Sequence, residues 1–154
     1  MRPVVLIALL LMATVSQSQL TAVATYTLKQ KQPVATGNSV LVMFPKPESH
    51  DASAVQTNGL EFKATVAGLY KIESAITLSG GAANSNYMLY YTKNGVIVRV
   101  QYFSFPHALN RTLNLVSDIY LKAGETVNLT MYNPGAVCYF EEYSHMIVSR
   151  YGAR

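Results

Sequence analysis

The sequence predicts an all-β domain, an antiparallel sandwich or barrel of roughly ten short strands. Three observations carry this. Apolar and polar residues alternate with period two in run after run. Gly, Asn and Pro turn signals separate the runs at close spacing. No segment beyond the N-terminal apolar stretch sustains a helical period. With 154 residues, half of them hydrophobic and only 13% charged, the chain can build one real core and has little material for disordered tails.

The first 18 residues read as a secretory signal. Arg2 supplies a positive start, Val4 to Ala13 an apolar run, and Ser16-Gln17-Ser18 a small-x-small cleavage site. A run of about ten residues is too short to span a bilayer, and no second span follows. Residues 19–154 are then one domain. The alternative is a first core strand or an uncleaved anchor.

Leu20 to Leu28 alternates Leu20, Ala22, Ala24, Tyr26 and Leu28 with Thr21, Val23, Thr25 and Thr27, a first strand. Ser39 to Phe44 is a short apolar run closed by Pro45 and Pro47. Residues 46–59 are polar without periodicity and read as a loop. In "FKATVAGLYKIESAITL", Phe62 to Leu78, two alternating runs flank Ala67-Gly68. Gly68 is expected to bend the chain between neighbouring strands, with Tyr70 turned into the core. After the break "GGAANSN", Asn94-Gly95 between β-rich runs signals a hairpin, because both residues tolerate the positive φ of a type I′ turn. "TLNLVSDIYL" and "TVNLTMY" flank Lys122-Ala123-Gly124-Glu125, read as a second hairpin. Asn133-Pro134-Gly135 is a turn, and "VCYFEEYSHMIVSRY" closes the chain as a strand or a pair.

Chemistry is sparse. There is one cysteine, so no disulfide forms within the chain; Cys138 is a buried small hydrophobe or an intermolecular thiol. The net charge of +4 comes from scattered cations with no basic stripe, which speaks against nucleic acid as a partner. His50, His107 and His145 have no convergent donors, no oxygen-rich calcium cluster exists, and no phosphate-binding, dinucleotide or nucleophile-elbow motif is present. A non-enzyme without a cofactor or metal is expected. Asn110-Arg111-Thr112 and Asn128-Leu129-Thr130 are glycosylation sequons, and Asn128 shares the polar face of Thr126 and Thr130. If Tyr87, Leu89 and Tyr91 face the core, Met88 and Tyr90 face out; across the turn Ile97, Arg99, Gln101 and Phe103 share one parity. Met88, Tyr90, Ile97, Arg99 and Phe103 therefore form a candidate ligand face, with scattered surface hydrophobes as the alternative.

Taken in order, these segments resemble a known superfamily. "FKATVAGLYKIESAITL", "LYYTKNG", "SDIYLKAGETVNLTMY" and "YSHMIVSR" are similar to successive segments of the C1q/tumour-necrosis-factor jelly rolls, closer to the C1q branch, from about residue 20 to the end. The resemblance implies a ten-stranded antiparallel jelly-roll β-sandwich assembled as a homotrimer. It further implies a secreted, non-catalytic module that recognises an extracellular protein, glycan or surface. The alternatives are a structural matrix, coat or adhesive subunit, or a soluble cytokine-like ligand. No Gly-X-Y collagen stalk is present, and His145 replaces the small residue usual before the last apolar run.

In the superfamily the strands matching those after Gly68, in "TLNLVSDIYL" and in "YSHMIVSR" face a threefold axis. The resemblance thus implies a subunit interface at Lys71, Glu73, Val116, Asp118, Tyr120, Tyr143, His145 and Ile147. The charged members are expected to pair across subunits, and His145 beside them to make assembly sensitive between about pH 5 and 7.

Overall fold

The structure is a computed structural model that describes residues 19–45, 47–104 and 110–152. The secretory-signal reading of residues 1–18 and His107 lie outside the described residues. Thirteen strands are present among the described residues: β1 (Leu20–Thr27), β2 (Gln32–Val34), β3 (Asn38–Leu41), β4 (Pro47–His50), β5 (Val55–Thr57), β6 (Phe62–Ala64), β7 (Gly68–Gly80), β8 (Tyr87–Lys93), β9 (Val96–Phe103), β10 (Arg111–Leu121), β11 (Thr126–Asn133), β12 (Cys138–Phe140) and β13 (His145–Tyr151). Their pairings are all antiparallel. No helix among them is long and apolar enough to cross a membrane.

The strands form two sheets. In the first, β4, β1, β13, β7 and β10 lie side by side, and β12 with β2 continues alongside the far end of β7. In the second, β5, β6, β11, β8 and β9 lie side by side, with β3 beside the end of β11. The count exceeds the expected ten because short edge pieces pair. Residues 46–59, read as a loop, contribute β4 and β5; β4 is held by β1 and β5 by β6, so partners across space and not local period make them strands.

Alternation puts one side of each main strand between the sheets. Tyr26, Phe62, Tyr70, Ile72, Ile76, Leu78, Tyr87, Leu89, Tyr91, Leu115, Leu121 and Phe140 are fully buried there. The chain has no Trp, and tyrosines supply much of the large core volume. A buried phenol needs a partner. The Tyr91 hydroxyl meets Ser74 Oγ at 2.6 Å and donates to the Leu115 carbonyl at 2.9 Å, tying β8 to the opposite sheet. Burial pushes its pKa well above that of an ordinary tyrosine. The Tyr70 hydroxyl donates to the Val66 carbonyl at 2.7 Å.

That contact explains Gly-Leu-Tyr differently from the sequence expectation. β6 belongs to the second sheet and β7 to the first, so Gly68 stands at a crossing between sheets and not between neighbours. Its φ is not positive; a Cβ there would lie 3.0 Å from Arg150 Nε. Gly68 thus admits the Arg150 side chain, whose Nη2 donates to the Ala67 carbonyl at 3.1 Å, while Tyr70 holds the crossing from inside.

Asn94 and Gly95 have φ of 48° and 81°, the positive values a type I′ turn requires. Lys122–Glu125 differs from expectation: β10 pairs with β7 and β11 with β8, so this turn is a crossing between sheets and not a hairpin. Cys138 is buried against the core, and burial raises its thiol pKa to about 11, which keeps it protonated and inert.

Candidate assembly and ligand faces

The outer face of the first sheet gathers the residues expected at a subunit interface. In register, Leu69 lies opposite Tyr120, Lys71 between Asp118 and Ser149, Glu73 between Val116 and Ile147, and Ala75 between Asn114 and His145. Tyr120 is 58% exposed, Val116 44% and Leu69 40%; Ile147 is half-buried and His145 exposed. Tyr143 is 77% exposed and lies in the turn before β13, with φ of 66°, not in the strand itself.

The charges on this face do not wait for a partner subunit. Lys71 Nζ meets Glu73 Oε1 at 2.8 Å, and that bond raises the lysine pKa. The Tyr151 hydroxyl donates to Asp118 Oδ1 at 3.0 Å, which raises the phenol's pKa. Within one chain Lys71 already has a partner in Glu73, and Asp118 has a neighbour, Tyr151, that no motif marked. Alternation alone places Tyr151 on this face, two residues beyond Ser149.

The candidate ligand face does not hold together as read. Tyr91 pairs with Arg99 and Thr92 with Ile97, so Val98 is an extra residue that breaks the alternation of β9. Arg99, Gln101 and Phe103 consequently share the parity of Tyr87, Leu89 and Tyr91, and Phe103 stacks on Tyr87 with centroids 5.5 Å apart. Ile97 falls on the other side with Val100 and Tyr102. Tyr90 does lie on the outer face, but it is only 8% exposed between Thr130 and Val100. Of the five residues, Met88, half-buried, and Ile97, exposed, remain accessible on that face, and the accessible row across it is Tyr132, Met88 and Tyr102.

Both sequons are placed. Asn110 is exposed just before β10. Asn128 is half-buried on the outer face of β11, where its Oδ1 accepts from the Thr92 hydroxyl and from Thr130 Oγ1 at 3.4 Å. Its Nδ2, the atom a glycan would take, makes neither bond.

Two features escaped sequence reading because distant segments build them. A groove of about 360 Å³ is lined by Leu28, Pro33, Met43, Pro45 and Leu60, with Gln30, Lys31 and Asn58 among its polar residues. Lys31 is engaged by Glu141 at 2.6 Å and lies 4.6 Å over the Tyr139 ring. At the end of the sandwich, Lys93 Nζ bonds Glu125 at 2.8 Å and the Tyr120 carbonyl at 3.0 Å, and Asn94 Oδ1 accepts from the Thr126 amide at 2.9 Å. The Lys93 bond holds the Glu125 carboxyl below the usual carboxylate range. Among the described residues no three His, Cys, Asp or Glu side chains gather to hold a metal.

No family model matches the chain, and no curated protein matches it. Solved structures do. Murine APRIL at pH 5.0 superposes with a TM-score of 0.64 at 10% identity, over 82% of this chain and 98% of that one. Murine APRIL at pH 8.0 gives 0.65 at 9% identity, over 86% and 99%. Eiger TNF from S. frugiperda gives 0.62 at 10% identity, over 87% and 96%. This likeness does not decide the expected leaning toward C1q, because both branches share one architecture. What it shows is the fold: the chain is a tumour-necrosis-factor/C1q-like jelly roll.

Proposed function

We propose that this chain is a secreted, non-catalytic binding module that works as a homotrimer and recognises an extracellular protein or glycan. The observation that carries it is the outer face of the first sheet. Leu69, Val116 and Tyr120 stand exposed there, beside the Lys71–Glu73 pair that needs no outside counter-charge. A threefold assembly is heterologous and needs a second, different patch. The strand β9, last in the second sheet among the described residues, supplies one in Val96, Ile97 and Val98, all exposed. A soluble cytokine-like ligand fits this arrangement equally well. Light scattering of the purified mature chain at micromolar concentration tests the assembly: a discrete trimer is expected, a monomer rejects it, and filaments move the reading to a structural subunit. A screen of the trimer against glycans and cell surfaces then separates recognition from a purely structural role.

Secretion and glycosylation belong to the same proposal. Protein secreted from eukaryotic cells is expected to lack the first 18 or so residues by intact mass, and to lose further mass on enzymatic removal of N-glycans. Full-length cytosolic protein would overturn secretion, and an unchanged mass would overturn use of the sequons. A glycan on Asn128 would stand on the same face as Met88 and Tyr102, shading that row from a large partner.

A further inference from the structure

The chain contains two Asn-Gly pairs, Asn58-Gly59 and Asn94-Gly95. Asn-Gly is open to intramolecular attack because glycine has no side chain to hinder its own amide nitrogen. The two pairs sit in different surroundings. At Asn58 the Gly59 N–H is held by Thr57 Oγ1 at 3.1 Å, and the Gly59 carbonyl accepts from the Phe44 amide at 2.7 Å. The Phe44 carbonyl also stands 3.1 Å from where a Gly59 Cβ would be. At Asn94 both residues are exposed at a turn tip, and nothing lies within 4 Å of the corresponding position on Gly95. Both side-chain carbonyls accept backbone N–H bonds: Asn58 from Leu60 and Glu61 at 3.0 Å, Asn94 from Thr126 at 2.9 Å. Polarisation of the carbonyl therefore does not separate the sites. The attacking nitrogen does: that of Gly59 is hydrogen-bonded, and among the described residues no such bond from the Gly95 N–H is present.

We propose that Asn94 is a spontaneous deamidation site of the folded protein, and that Asn58 is protected. The Gly95 nitrogen gives its proton to solvent and bonds to Asn94 Cγ. The negative charge that develops on Oδ1 is met by the Thr126 N–H, an oxyanion donor already in place. The Cγ–Nδ2 bond breaks, Nδ2 takes up a proton and leaves as ammonia, and a five-membered succinimide remains. Water opens it to aspartate or isoaspartate, so the net change is one water in and one ammonia out, with no oxidation or reduction. The product loses the amide that reaches Glu125 Oε1 at 3.4 Å and sets a carboxylate against that glutamate. Isoaspartate also adds a methylene to the backbone of a two-residue turn, lengthening the link between β8 and β9. Lys93, which bonds the Tyr120 carbonyl, is the residue before Asn94, so the change arises beside the candidate assembly face.

The test is peptide mapping by mass spectrometry of the full mature chain, incubated folded in mildly alkaline buffer and, in parallel, in denaturant. In the folded protein the Asn94 peptide is expected to convert at least about tenfold faster than the Asn58 peptide, a barrier difference of about 1.4 kcal/mol. In denaturant the two rates should converge. Equal rates in the folded protein, or faster conversion of Asn58, would overturn the proposal. So would a rate ratio that survives denaturation, because the selectivity would then belong to local sequence and not to the fold.

Discussion

Tyr120→Asp is expected to break the assembly into folded monomers. The side chain is 58% exposed in the single chain, large and aromatic, near the end of β10 and opposite the exposed Leu69 on the outer face of the first sheet. Such residues act as hot spots, and losing one costs about 2 kcal/mol or more at each interface. A carboxylate adds a desolvation penalty there, two residues from a second acidic side chain, Asp118. A trimer carries the change three times, so a trimer stable at micromolar concentration should fall apart there. The fold itself should survive, because the bond from Lys93 goes to the Tyr120 backbone carbonyl, which the substitution leaves in place. Leu60→Asp is the control: Leu60 is 40% exposed, but it lines the groove and lies off this face. Light scattering and far-ultraviolet circular dichroism read assembly and fold separately. If Leu60→Asp dissociates the protein as completely as Tyr120→Asp, the wrong face has been chosen.

Asn133→Ala is expected to destabilise the sandwich by about 3 kcal/mol or more, without touching any candidate binding residue. Asn133 is fully buried at the end of β11. Its Nδ2 donates to the Val34 carbonyl at 3.0 Å and the Ala136 carbonyl at 2.9 Å, and its Oδ1 accepts from the Gly135 amide at 3.0 Å. One side chain thus joins β11 of the second sheet to β2 of the first and fixes the Pro134-Gly135 turn. Alanine leaves two carbonyls and one amide without these bonds in a buried place, and each such loss costs about 1–3 kcal/mol. Asn133→Asp keeps the acceptor and removes both donors, so it should be nearly as damaging. Denaturant unfolding at one fixed protomer concentration measures this, since association would add to apparent stability. A loss below about 1 kcal/mol would show that water or a local shift replaces the bonds.

Period two in Phe62 to Leu78 was enough to place Tyr70, Ile72, Ile76 and Leu78 inside, because alternation is set by the pleat of the strand itself. Asn94-Gly95 was enough to place a hairpin, because the positive φ of both residues is a local property. The order of motifs was enough for the jelly roll. Other features were settled only by partners far along the chain. Alternation says which side of a strand a residue takes, and nothing about which sheet the strand joins. Hence Gly68 and Lys122–Glu125 looked like links between neighbours and are crossings between sheets. A bulge has no local signature: Val98 shifts the register against β8, and Arg99 and Phe103 change sides with it. Tyr90 is outward by parity and hidden by its cross-strand neighbours Thr130 and Val100. The Tyr151–Asp118 bond and the groove at Leu28, Met43 and Leu60 depend on segments that meet only when the sheets close. The sequence by itself therefore determined the strand faces, the hairpin and the fold class, which rest on backbone geometry within a few residues. Sheet membership, register and the composition of each outer face were decided by the tertiary structure, because long-range pairing sets them.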